Sequence, residues 1–175
     1  MSYYFKSKSK YFPFLSTMLF LVFVGCILPN EPVEEVIYYN SFESSQDTVG
    51  WFINADVHFA KDAAPKGGNQ SLFVSGGCLV PHAYFEIGAF DEDVRFKIRC
   101  WCKKLVNGGS VDLELVNDRY QQIYSINVTN STWTYCESDS VLLCPNQNKL
   151  RVSLNSGGFI PGSMLVDMIE IIKLK

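Results

Sequence analysis

Few residues of this chain have the types and spacings that catalysis needs. His58 and His82 are the only histidines, and neither lies at a spacing typical of a metal site or a catalytic triad. The sequence contains no G-x-S-x-G, H-E-x-x-H or glycine-rich phosphate-loop motif. Glu86, Glu114 and Asp118 are acids of the kind that glycoside hydrolysis uses in pairs, but any acid-bearing domain offers such pairs. The sequence therefore predicts a protein that is not an enzyme.

Cysteine is the other residue type here that supplies chemistry. Beyond residue 26 the chain holds five cysteines, so at least one thiol stays unpaired in any disulfide scheme: Cys78, Cys100, Cys102, Cys136 and Cys144. We expect buried free thiols, because Cys100 and Cys102 share the inward face of a predicted strand, where a thiol acts as a small apolar group. A Cys136–Cys144 disulfide and a zinc site built from the last four cysteines are the alternatives, although C-x-C is not the usual C-x-x-C spacing.

The elements that position these residues are predicted to be β-strands. Apolar and polar residues alternate with period 2 in seven stretches, and no convincing helical stripe exceeds three turns. The stretches are 71–76, 93–104, 110–118, 121–128, 131–143, 149–156 and 163–174. Turn signals such as NGG, CPNQN and SGGFIPG separate several of them. Seven or eight short strands predict one all-β domain over residues 36–175, an antiparallel sandwich or jelly roll, with an up-and-down barrel as the alternative.

The order of these pieces supports a resemblance. The chain resembles carbohydrate-binding modules of the galactose-binding-like jelly-roll type, nearest to families 4, 9 and 22. The segments that carry the resemblance are NSFESSQDTVGW, PKGGNQSLFVSG, FKIRCWCKK, GGSVDLELVND, STWTYCES and SMLVDMIEI, in that order. The resemblance covers about 130 residues and implies a non-catalytic domain that binds polysaccharide or oligosaccharide. It also implies that Trp51 and Trp133 are structural.

The resemblance implies a structural calcium ion where the first and last strands meet. It assigns the metal role to Glu43 and Asp167, with backbone oxygens near Gly68 and Ser71 completing the shell. The chemistry is reasonable because calcium takes six to eight oxygen ligands. One departure is that the closing strand has a single acid, with Met168 following it. The alternative is that Asp167 faces water on the outer surface of the sheet.

Sugar sites combine an aromatic platform with hydrogen-bonding side chains, since sugars present apolar C–H faces ringed by hydroxyls. Trp101 is the predicted platform, because alternation puts it on the polar face of its strand beside Arg99 and Lys103. Arg99 and Tyr124 are predicted to read hydroxyls. The other predicted ligand-binding residues are Tyr120, Asn117, Gln122, His82 and Tyr84. The rival hypothesis is a structural or assembly protein whose sandwich binds a partner protein.

The N-terminus predicts an export leader. Three lysines precede the apolar run YFPFLSTMLFLVFVG, which has the length of a signal-peptide core and is short for a membrane span. The residues Phe23 to Cys26 resemble a bacterial lipobox, with Phe23 in place of the usual leucine. The resemblance implies a signal peptide over 1–25, lipidation of Cys26 and a tether over 26–35. The alternative is an uncleaved signal anchor.

Charge narrows the choice of partner. The chain has 15 basic and 18 acidic residues, and loss of the three leader lysines leaves 12 basic residues and a net charge near −6. A domain this acidic, without a basic cluster, is not expected to bind nucleic acid. We therefore expect a membrane-anchored lipoprotein, periplasmic or on the cell surface, with a bacterial outer membrane as the favoured location.

Overall fold

A computed structural model describes residues 32–54, 56–77, 82–117, 120–139, 141–157 and 160–175. The predicted leader, the predicted lipidation residue Cys26, Cys78 and Asp118 lie outside the described residues. One compact unit runs from Val33 to Lys175. Within the ranges described, no helix is both long and apolar enough to span a membrane.

The described ranges contain twelve β-strands and a single turn of 3-10 helix at Ser45–Thr48. The strands are β1 (Glu34–Asn40), β2 (Phe52–Ile53), β3 (Val57–Ala60), β4 (Ser71–Gly76), β5 (Ala83–Ile87), β6 (Val94–Val106), β7 (Gly109–Val116), β8 (Tyr120–Val128), β9 (Thr134–Glu137), β10 (Leu142–Cys144), β11 (Lys149–Ser156) and β12 (Gly162–Leu174). The first two residues of β1 fall within the predicted tether. The strands form two antiparallel sheets packed as a sandwich.

The seven-stranded sheet is built around β6 and β12, which are 13 residues long each and pair with one another. On its other side, β6 pairs with β9 and β10, and β12 pairs with β4 and β1. The register of β12 shifts between Asp167 and Glu170, where its neighbour changes from β4 to β1, and Met168 adopts a φ of 50°. Asp167 therefore lies at the junction of the first and last strands.

The five-stranded sheet has the order β2-β5-β11-β7-β8. In its strands, apolar side chains on the inner face alternate with mostly polar side chains on the outer face. In β11, Leu150, Val152 and Leu154 are fully buried in the core. The residues between them, Arg151 and Ser153, point to the outer face of the sheet.

The predicted fold is confirmed. The inward residues of β6, from Val94 to Cys102 in steps of two, are at most 2% exposed. Residues 131–143, predicted as one stretch, form the two strands β9 and β10, and β1, β2, β3 and β5 come in addition. Trp51 packs between Phe42 and Phe85, as a structural tryptophan should.

The alternative cysteine pairing is wrong. Cys136 lies opposite Cys100 on β6, whereas Cys144 lies opposite Val94. Six residues of strand separate these two positions, roughly 20 Å at about 3.3 Å per residue. A Cys136–Cys144 disulfide would require Cα atoms less than about 7 Å apart. The four cysteines in the described ranges are all free thiols.

Candidate functional site

The outer face of the five-stranded sheet carries a row of hydrogen-bonding side chains on β7 and β11. Ladder pairing sets Arg151 opposite Glu114 and Ser153 opposite Asp112. Arg151 Nε donates to Glu114 Oε2 at 2.7 Å, and the Ser153 hydroxyl donates to the same oxygen at 2.7 Å. Although they point outward, Arg151 is 5% and Asp112 6% exposed. The middle of this face is therefore lined by polar groups that are already held in place.

Asp112 is the centre of a second group on the same face. Its two carboxylate oxygens accept hydrogen bonds from the hydroxyls of Ser110, at 2.9 Å, and Ser125, at 2.5 Å. The amide of Asn155 donates to Asp112 Oδ2 at 2.6 Å. Three strands thus fix one carboxylate, because Ser110 is on β7, Ser125 on β8 and Asn155 on β11. Such a preorganised acceptor loses little entropy when it binds a hydroxyl.

Aromatic rings stand at the β2 edge of this face. The rings of Phe52 and Tyr84 stack with centroids 4.9 Å apart, and the guanidinium of Arg151 lies 4.3 Å from the centroid of the Tyr84 ring. Since Phe52, Tyr84 and Arg151 come from adjacent strands, the Tyr84 ring lies between the other two groups. Phe52 is 48% exposed. Phe52 is therefore the ring that can stack on a ligand, and Tyr84 contributes chiefly its hydroxyl.

The structure brings only some of the predicted ligand-binding residues to this face. Tyr84 and Gln122 lie on it, and Gln122 sits opposite Glu114 in the ladder. Asn117 is exposed just beyond the end of β7, and its amide donates to Asn148 Oδ1 at 3.0 Å. Tyr120 begins β8 and pairs with Val116, and its side chain is outside the described structure.

Two further predicted residues point toward the interior. His82 is 3% exposed, and its ring nitrogens lie 3.2 Å from the Asn54 amide and 3.2 Å from the Ser156 carbonyl oxygen. Tyr124 packs against the core, and its hydroxyl oxygen accepts a hydrogen bond from the Asp139 backbone N–H. β8 and the loop before β5 therefore turn these two side chains away from the outer face of the five-stranded sheet.

Trp101 and Arg99 lie on the opposite side of the sandwich, on the outer face of the seven-stranded sheet. The Trp101 ring contacts the edge of the Tyr135 ring, with centroids 5.7 Å apart. Arg99 forms ion pairs with Glu34, at 2.9 Å, and with Glu137, at 3.2 Å. Trp101 therefore does face outward, as alternation predicted. Tyr124, which was predicted to read sugar hydroxyls beside the Trp101 platform, does not lie near it, because the two residues belong to different sheets.

The predicted metal-binding acids meet at the turn before β4. Glu43 accepts hydrogen bonds from the backbone N–H groups of Asn69 and Gln70, at 3.0 and 3.1 Å. Asp167 is fully buried, so the alternative that it faces water is wrong. A Cβ atom at Gly67 would overlap the Asp167 carboxylate, and one at Gly68 would overlap that of Glu43. The turn is therefore packed directly against both acids.

The surroundings of Asp167 determine how well this junction could suit a cation. Asp167 Oδ2 accepts from Ala64 N at 2.9 Å and Oδ1 from Met168 N at 2.7 Å. Burial, with a smaller contribution from the charge of Glu43, nevertheless raises the pKa of Asp167 to about 6. The Ser71 hydroxyl donates to the Asp62 carbonyl oxygen at 2.6 Å. Calcium prefers oxygen ligands, so the residues that could hold it here are the two carboxylates, with carbonyl oxygens of the adjoining turn.

No protein-family model and no curated protein matches this sequence. Solved structures do match. The CBM22-1–GH10 modules of Clostridium thermocellum xylanase Xyn10B, complexed with xylohexaose, match over 81% of this chain with a TM-score of 0.61 and 15% identity, and the match spans 29% of that longer structure. The CBM22-1 xylan-binding domain of Paenibacillus barcinonensis Xyn10C matches over 82% of this chain and 97% of its own length, with a TM-score of 0.55 and 17% identity.

A third match is the C-terminal family 22 carbohydrate-binding module of Clostridium thermocellum Xyn10B. It covers 79% of this chain and 94% of that module, with a TM-score of 0.55 and 16% identity. The chain has the fold of a carbohydrate-binding module. At these identities the likeness concerns the fold alone, so a binding site on this chain has to be inferred from the chain's own residues.

Sequence reasoning missed the central residues of the outer face of the five-stranded sheet. Alternation in KLRVSLNS already set Arg151, Ser153 and Asn155 on the face opposite three leucine and valine residues. A strand whose solvent face carries hydrogen-bonding groups in steps of two was the available signal. Phe52 gave no such signal, because β2 is only two residues long.

Proposed function

We propose that this module binds neutral polysaccharide or oligosaccharide, without cleaving it, on the outer face of the five-stranded sheet. The observation that carries the proposal is the row of fixed polar groups, from Asp112 to Arg151, beside the exposed ring of Phe52. Sugar recognition needs both parts: an apolar surface for C–H groups and preset acceptors and donors for hydroxyls. The fold likeness to xylan-binding modules supports the proposal.

The charges of this face favour a neutral ligand. Arg151 is the cation of its centre, and its Nε–H is used by Glu114 at 2.7 Å. Asp112 adds a second negative charge, and its oxygens accept from three uncharged donors. An anionic sugar, such as a uronate, would meet net repulsion here, whereas sugar hydroxyls can donate to the remaining lone pairs of both carboxylates.

Calorimetric titration of the full chain in detergent with xylohexaose and soluble xylan tests the proposal. Phe52→Ala is expected to weaken binding by ten-fold or more, because stacking and apolar contact are lost. Tyr135→Ala is the matched control, since Tyr135 is 47% exposed on the other sheet and should leave binding unchanged. Trp101→Ala tests in the same titration whether sugar binds instead to the outer face of the seven-stranded sheet.

Each outcome has a distinct meaning. Loss of binding in Phe52→Ala alone supports the proposed face. Loss in Trp101→Ala alone would move the site to the seven-stranded sheet, where the sequence pattern first predicted it. If the folded wild-type chain binds none of a panel of neutral glycans, the sugar proposal fails, and the rival hypothesis of a partner protein gains.

We also propose a structural calcium ion held by Glu43, Asp167 and carbonyl oxygens near Gly68. When bound, the ion would supply positive charge between two carboxylates that otherwise repel each other. Glu43 follows β1, and Asp167 belongs to β12, so a shared ion links the first strand to the last. A calcium-dependent rise in the melting temperature, absent in Glu43→Ala, is the expected result.

The membrane anchor remains a proposal of a different kind, supported by sequence alone. We propose that Cys26 is lipidated after removal of residues 1–25 and that the module is thereby held at a bacterial membrane surface. A radiolabelled fatty acid should be incorporated into the wild-type chain in cells and not into Cys26→Ala. Equal labelling of the two chains would contradict the anchor and leave the binding proposal intact.

A further inference from the structure

Three cysteine side chains meet inside the sandwich where β9 pairs with β6. Cys100 and Cys102 both point inward from β6, and their Sγ atoms lie 3.5 Å apart. Cys136 on β9 is the direct ladder partner of Cys100. Cys100 and Cys102 are almost completely buried, whereas Cys136 is only half-buried. Solvent-borne reagents therefore reach the cluster through Cys136.

Cys136 and Cys102 differ in acidity. A hydrogen bond with Cys102 lowers the pKa of Cys136 to about 7, against an opposing contribution from burial. Hydrogen bonds with Cys100 and Cys136, together with burial, raise the pKa of Cys102 well above its usual value. Since the thiolate is the reactive form, the accessible Cys136 is more readily ionised near neutral pH than the buried Cys102.

The backbone at this point is suitable for a disulfide. Directly opposed residues of antiparallel strands have Cα atoms about 4.5 to 5.5 Å apart, within the range of about 4.4 to 6.8 Å that disulfides need. The Sγ atom of Cys136 lies 3.7 Å from the Thr134 carbonyl oxygen. Thr134 is the ladder partner of Cys102, so the Cys136 sulphur leans toward the second thiol of β6 as well.

We propose that Cys136 is an oxidation site that closes a disulfide across β9 and β6, to the Cys100–Cys102 pair, when the chain meets an external disulfide. Either partner gives the same link between the two strands. The proposal does not depend on sugar binding. Its consequence is a covalent tie on β9, a strand of four residues that pairs with β6 alone among the described strands.

The reaction is a pair of thiol–disulfide exchanges. The Cys136 thiolate attacks one sulphur of a small disulfide such as oxidised glutathione, and one glutathione thiolate leaves. A thiolate of β6 then attacks the Cys136 sulphur, and the second glutathione leaves. The two protein thiols lose two protons and two electrons, which reduce oxidised glutathione to two molecules of glutathione.

Oxidation of the native full chain, followed by acid quenching and tryptic mapping, tests the proposal. Trypsin separates residues 100–103 from residues 120–149, so the disulfide appears as a link between these two peptides, assigned to Cys136 by fragmentation. The melting temperature is expected to rise by roughly 5 to 10 °C, from the loop that the disulfide closes. Cys144→Ala should keep the link, and Cys136→Ala should lose it.

A rate measurement provides a readout that needs no variant. Cys136 should react with a maleimide at pH 7 at least about ten-fold faster than Cys144, whose pKa is raised by burial.

The double variant Cys100→Ala/Cys102→Ala should retain a glutathione adduct on Cys136. A native chain that forms no link, a link from Cys136 to any cysteine outside β6, or equal maleimide rates would overturn the proposal.

Discussion

At the residue scale, the outer face of the five-stranded sheet carries charged groups that are buried, although side chains on an outer face usually meet solvent. Arg151 and Glu114 point outward from the five-stranded sheet, yet 6% and 15% of their side chains are exposed. A charge without its partner in such surroundings is costly, because water cannot replace the missing contact. This ion pair is therefore expected to contribute to stability as well as to the proposed sugar site.

Removing one member of this pair should have a large effect. Glu114→Ala deletes the acceptor shared by Arg151 and Ser153, and we expect a loss of about 2–4 kcal/mol in the free energy of unfolding. Glu86→Ala is the control, since its partner Lys149 is 52% exposed and such pairs contribute about 0–1 kcal/mol. Urea denaturation measures both. Equal losses in the two variants would contradict the argument from burial.

Asp167 should give the stability of the calcium-free protein an unusual pH dependence. Its pKa of about 6 in the folded chain lies above the ordinary value of 3.8, so the folded state binds the proton more tightly. Stability attributable to this group is therefore present at low pH and falls as the pH rises from about 4 to about 6. The full change is about 3 kcal/mol.

The measurement compares urea denaturation of the wild-type chain and Asp167→Asn in EDTA between pH 4 and pH 7. The wild-type minus variant difference should decrease through this window and then become constant. Saturating calcium should flatten the decrease, because the ion favours the ionised carboxylate. A difference that is independent of pH in EDTA would show that Asp167 titrates normally.

At the scale of elements, the turn before β4 fixes both the direction of the chain and the position of a carboxylate. Gly68 has a φ of 91°, a left-handed conformation in which other residues are strained. The backbone N–H groups that follow it donate to Glu43, so the turn fixes a carboxylate as well as the chain direction. Close approach of backbone to carboxylate explains why glycine stands here.

Gly68→Ala should therefore lower stability by more than about 1 kcal/mol and weaken any calcium response. Gly88→Ala is the control, because a Cβ atom at Gly88 meets nothing within 4 Å. Thermal unfolding with and without calcium measures both effects. If Gly68→Ala unfolds at the wild-type temperature, the turn is more adaptable than its contacts indicate.

Strand positions and faces could be predicted from the sequence, while neighbours across the sheets could not. Period 2 alone determines that Cys100 and Cys102 point inward and that Trp101 points outward. It does not reveal which sheet a strand joins, so Trp101 and Tyr124 could not be separated by pattern. Ladder pairing, which brings Arg151 to Glu114, depends on contacts between residues distant in sequence.

The whole molecule depends on β12 more than on any other described strand. It pairs with β6 along one side and with β4 and β1 along the other, and Leu165, Ile169 and Ile171 are among its buried residues. The seven-stranded sheet has no continuous centre without it. The junction that carries Asp167 is likewise formed only when β12 meets β1.

β12 follows all the other described strands along the chain, so β1, β4 and β6 gain their shared neighbour last. Pairing between strands that are distant in sequence is slow, because the entropy of loop closure is lost before the contact stabilises the fold. Because domains fold as units, the segments that precede β12 have no complete core to join until β12 is present.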